Sequence, residues 1–132
     1  MKLHLASFMQ PENFGEGRII SITFGSKPNN ISVKSIFEPF APPTSLISEY
    51  NSLRTSDPEK ASKLFITSYT EQLESFFNDL VKESEKEGCS VINLLPFKDG
   101  DTLCSWERKD FTNFRKILAP FLEKVGYEVV LA

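Results

Sequence analysis

Histidine is almost missing from this chain: His4 is the only one in 132 residues. A metal centre built on several imidazoles is therefore excluded, and a histidine base has one position to occupy. Cysteine is scarce too. Cys89 and Cys104 follow an opening Met1-Lys2 with no leader-like segment after it, so they read as free thiols of a cytoplasmic protein. No apolar run approaches the roughly 18 residues that a membrane span needs. A basic excess is absent as well: the formal charge is −3, and no Lys/Arg block exceeds two residues. Bulk nucleic acid, whose binding depends on phosphate neutralisation, is thus not an expected partner.

What is present is a globular composition, 40% hydrophobic and 25% charged, which argues against disorder. One domain over residues 1–132 buries roughly two thirds of its unfolded surface and needs no disulfide or metal to fold. Residues 2–8 alternate and read as a first strand. Pro11, Gly15 and Gly17 mark a loop. Residues 18–24 form a β-branched run, too apolar to leave one face in water, and predict a central strand. Residues 32–37 predict a short edge strand. Pro39, Pro42 and Pro43 then hold the backbone extended.

Thr44 or Ser45 can cap a short helix to about Leu53. Asp57-Pro58-Glu59 is a strong helix start, with a capping carboxylate and proline at the first helical position. The apolar stripe that follows runs from Ala61 to Val81, and Gly88 ends it. That helix is about 45 Å long, against about 36 Å for the diameter of a compact domain. It must bend, break or protrude, and Thr67-Ser68 is the expected bend. Residues 89–97 predict another apolar strand, followed by the turn Lys98-Asp99-Gly100-Asp101. Asp110 opens a last helix, with Pro120 as an expected kink and Gly126 as its end; residues 127–131 form a final strand. Strands separated by helices favour an α/β domain, a mostly parallel sheet of about four strands with flanking helices.

Chemistry gathers in two segments. Thr23-Phe24-Gly25-Ser26-Lys27-Pro28 follows the second strand, where Gly25 and nearby N–H groups can cradle an anion with Lys27 as countercharge. It lacks the full Gly-x-x-x-x-Gly-Lys-Ser/Thr pattern, and a plain glycine turn explains it too. The second segment, residues 94–108, collects Cys104, Ser105, Trp106 and Arg108 between a strand and a helix, where open α/β sheets place ligands. Its alternative is a turn with Trp106 packed as core. Cys104 is either a thiol activated by a helix N-terminus and Arg108 or a buried, inert one. Asp99 and Asp101 suit a turn as well as they suit a cation. No metal, cofactor or catalytic residue is assigned. Phe37, Phe40 and Phe8 stand off the helical stripes, and either pin the long loop or form a patch for a protein partner.

These segments resemble the bacterial and viral family catalogued as domain of unknown function 488. Its members show a strand ending near Ile-Ser-Arg-Gly-x-Pro, an Ala-Pro segment leading into a helix with a tyrosine, and a later Leu-Leu-Cys-Phe/Tyr-Glu strand. Cys-His-Arg follows at a helix start. Ile22-Thr23-Phe24-Gly25-Ser26-Lys27-Pro28, Ala41-Pro42-Pro43 through Tyr50, and Leu94-Leu95-Pro96-Phe97-Lys98 are similar to the first three. Cys104-Ser105-Trp106 or Asn113-Phe114-Arg115 stands at the fourth. The family arginine is Phe24 here, its strand cysteine is Pro96, and its triplet is incomplete. The resemblance implies an α/β fold, a nucleic-acid or nucleotide connection, and a chain that lacks any chemistry resting on those groups. Two functions are carried forward: a site for a nucleotide or other phosphorylated small molecule, and a non-catalytic protein-interaction module using Phe37 and Phe40.

Overall fold

A computed structural model describes residues 1–25, 28–106 and 114–132. Five strands lie side by side: β1 (Lys2–Ser7), β2 (Ile19–Ser21), β3 (Ser35–Ile36), β4 (Thr102–Ser105) and β5 (Glu128–Leu131). Among the described residues three α-helices accompany them: α1 (Thr44–Leu53), α2 (Pro58–Glu87) and α3 (Arg115–Val125). The strand order is β3-β2-β4-β1-β5, and every pairing is parallel. The expected α/β class holds, with one strand more than the sequence suggests.

Register partners in a parallel pair point to the same side, so the pairings sort the side chains into two faces. Leu5 pairs with Leu103 and Leu103 with Ile20; with Leu3 and Ile22 they form the face against which the helices pack. Ala6, Cys104 and Ser21 line up on the opposite face. Loops cover that face instead of helices, through Phe8, Phe14, Ile31 and Val33.

The long helix forms as its sequence dictates. Asp57 accepts a hydrogen bond from the Lys60 amide at 3.1 Å, Pro58 stands at the first helical position, and Gly88 closes the end at φ 69°. Its buried apolar residues Ala61, Phe65, Tyr69, Leu73 and Phe77 recur every fourth position. Such a stripe turns by about 160° around the helix over its length, at 3.6 residues per turn. The partners change accordingly. Phe65 meets Tyr50 of α1, Tyr69 meets Phe114 before α3, and Phe77 stacks on Phe121 of α3. The helix runs unbroken past Thr67-Ser68. The accessible surface, 7664 Å², exceeds the roughly 7,000 Å² of a compact monomer of this mass.

Two expectations about strands are overturned. Residues 89–97 form no strand; Val91–Leu94 is a short 3-10 helix against α2, and Leu95 and Phe97 enter the core, Phe97 beside Phe37, Phe40 and Tyr127. Their apolarity serves that packing, and Pro96 has no N–H for a ladder. The missing strand is β4, whose Thr-Leu-Cys-Ser is buried throughout because β1 and β2 flank it and both its faces are covered. The second strand also stops at Ser21, whose hydroxyl donates to the Thr23 carbonyl at 3.0 Å and draws the chain out of the ladder. The start expected at Asp110 lies outside the described residues.

The N-terminal edge of the sheet is locked by charge. Asp101, 1% exposed, receives Arg18 Nη2 at 2.6 Å, the Arg18 amide at 3.0 Å and the Lys98 amide at 2.8 Å. The Arg18 guanidinium also donates to the Pro96 carbonyl at 2.9 Å. Asp99 and Asp101 thus serve the turn, Asp99 accepting from the Lys2 amide at 2.7 Å. Among the described residues no group of acids, histidines or cysteines is placed to hold a metal ion.

Candidate functional site

The carboxyl edge of the sheet is where hydroxyls collect. Ser7, Ser21 and Ser105 end the three neighbouring strands β1, β2 and β4, and all are buried. Ser7 Oγ accepts from the Met9 amide at 3.0 Å, and Ser21 Oγ accepts from the Thr23 amide at 3.3 Å. Short hydroxyl side chains thus satisfy backbone groups where strands give way to loops.

Beyond β2 and β4 at this edge lies a cavity of about 310 Å³, at the small end of the range for ligand pockets. Thr23 and Phe24 line it from the loop after β2, Trp106 from the end of β4, and Phe114 from the approach to α3. Thr44, Ile47 and Ser48 complete the wall from the first turns of α1. Residues 44 and 48 are one helical turn apart, so their hydroxyls share a side of the helix. Pro43 is the N-cap of α1, and no side-chain cap bond is made there among the described residues. The expected capping by Thr44 or Ser45 is therefore replaced by a first turn that leaves Thr44 on the cavity wall. Helix N-termini present N–H groups and a partial positive charge to whatever lies in front of them.

The sequence-derived site residues fall in four groups. Thr23 and Trp106 line the cavity. Gly25 follows directly as an exposed turn at φ 109°, a backbone conformation that favours glycine. Cys104 and Ser105 lie inside the sheet, fully or almost fully buried, and are absent from the wall. Ser26, Lys27 and Arg108 lie outside the described residues.

Cys104 fits the buried, inert alternative. Burial pushes its thiol up to about 12 against the opposing pull of the Arg115 guanidinium, so it is protonated at neutral pH. His4 stands in register with Thr102, two residues short of the thiol's own partner Ala6. The protein-docking alternative meets a similar correction. Phe40 is fully buried, Phe37 is half-buried, and the two rings pack 4.7 Å apart within the cluster of Phe76, Phe77 and Phe97. Phe8 is buried as well, against Trp106. These phenylalanines pin the loop to the core and offer no exposed patch.

Phe24, Thr44, Ile47, Ser48 and Phe114 were not singled out as site residues from sequence. In sequence Phe24 reads as strand, Thr44 as a cap, and Ile47, Ser48 and Phe114 as ordinary helix positions. The available signal was positional: α1 begins a few residues after a strand end, on the same sheet edge as the other loops. No family model matches the chain, and no curated protein or solved structure matches it either.

Proposed function

We propose that the protein binds a small anionic, nucleotide-like ligand in the cavity at the carboxyl ends of β2 and β4. The observation that carries this reading is the convergence of three elements on one cavity: the loop after β2, the end of β4 and the first turns of α1. Ligands of open α/β sheets sit beyond the carboxyl ends of strands, and anions favour helix N-termini. Here the α1 N-terminus provides the electropositive side, Thr23, Thr44 and Ser48 provide hydroxyl partners, and Phe24, Trp106 and Phe114 provide apolar contact. The buried Cys104 argues for binding and against thiol catalysis.

The resemblance to domain of unknown function 488 stands beside this reading as a proposal. Its support is positional: residues 22–28 and 41–50, which carry two of the resembling motifs, contribute five of the seven residues on the cavity wall. A thermal-shift screen with nucleoside mono-, di- and triphosphates tests the function. A bound ligand at one hundred times its Kd adds about 2.7 kcal/mol to stability, which moves Tm by several degrees. A flat Tm across the panel at millimolar concentration would count against the site.

A further inference from the structure

We infer that the cavity is the seat of a planar heteroaromatic ring, and that the ring carries more of the affinity than the charge. The inference rests on the ligand reading above and specifies which part of the ligand the cavity recognises. Among the described residues its wall carries no ionisable side chain. What it carries is three aromatic side chains and Ile47, set against three hydroxyls. Two of the aromatic walls are backed by further rings. Phe114 packs edge-on against Tyr69 with centroids 5.3 Å apart, and Tyr69 is itself fixed by its hydroxyl, which donates to the Phe40 carbonyl at 2.7 Å. Trp106 leans on the buried Phe8 at 5.4 Å.

Walls held in this way lose little freedom when a flat ligand arrives, and they match the π-face common to all heteroaromatic bases. The hydroxyls of Thr44 and Ser48, one helical turn apart, can donate to or accept from the polar edge of such a ring. The magnitudes favour the ring. A helix N-terminus strengthens binding of a charge by about two- to fivefold where solvent reaches it, and by about thirtyfold at most. Stacking on an aromatic platform is worth about five- to hundredfold per base.

Trp106 is the only tryptophan, so its fluorescence reports directly on occupancy of the cavity. The experiment titrates the intact protein with adenosine, guanosine, cytidine and uridine, with their 5′-monophosphates, and with ribose 5-phosphate. The expected result is that at least one nucleoside changes Trp106 emission and binds within about fivefold of its monophosphate, while ribose 5-phosphate is silent. Calorimetry on Phe24→Ala should then show a loss of about five- to hundredfold for nucleoside and nucleotide alike, with Phe24→Tyr restoring most of it. Phe24 is a half-buried loop residue, so its replacement leaves the core intact. Monophosphates and ribose 5-phosphate binding equally while nucleosides stay silent would overturn the ring inference and leave the anion site standing. Silence from the whole panel would overturn both.

Discussion

Asp101 keeps a full charge at a position that is almost inaccessible to water. Burial pushes its carboxyl up, but the Arg18 guanidinium and the Lys98 and Arg18 amides outweigh that, and the carboxyl lies below its ordinary range. Because the native value is the lower one, the stability it contributes is complete above the unfolded-state value near 3.9. It is lost as pH falls through the native value. Asp101→Ala should cost about 2–4 kcal/mol at pH 7, since it leaves two backbone amides and a guanidinium without their acceptor. Urea denaturation from pH 7 down to pH 2 checks this. The gap between variant and parent should hold to about pH 4 and close below it; a gap independent of pH would contradict the assignment. Cys104 works in the opposite direction. Its raised value makes its contribution complete below about 8.5, the unfolded thiol's value, and lost as pH rises towards about 12.

Elements differ in how openly the sequence announces them. The long helix α2 was legible at both ends because Asp57-Pro58 and Gly88 are local devices, each sufficient without the rest of the fold. The strand β4 was not, because Thr102, Cys104 and Ser105 are neither apolar nor β-branched as a set, and only flanking strands make them interior. Residues 89–97 misled for the converse reason: apolarity marks burial, and burial against α2 looks the same in sequence as burial in a sheet. The two segments flagged for chemistry did reach one cavity through Thr23 and Trp106, but the contribution of α1 depends on a crossover that no local pattern records. Tyr69 joins these elements, its ring touching Phe114 and its hydroxyl bonded to the Phe40 carbonyl before α1. Tyr69→Phe removes that bond and leaves a buried carbonyl behind, so thermal or urea unfolding should show a loss of about 1–2 kcal/mol. An unchanged midpoint would mean that the hydroxyl does not hold the loop to α2.

Over the whole molecule, protection should follow the layering. The central strand pair β1–β4 is covered by helices on one face and by loops on the other, whereas β3 is a two-residue edge with both side chains exposed. Native-state hydrogen exchange should therefore find its slowest amides in β1 and β4 and its fastest in β3 and residues 28–34. Equal rates across the sheet would argue against this division. The strand order carries a further consequence for how the protein is made. β1 is hydrogen-bonded only to β4 and β5, and β2 joins β1 only through β4. β1 therefore has no sheet partner until residues 102–105 have been added, roughly 5–20 s after it at ordinary elongation rates. Until then Leu3 and Leu5 lack their sheet neighbours, and the other edge of β1 is filled only when residues 128–131 follow.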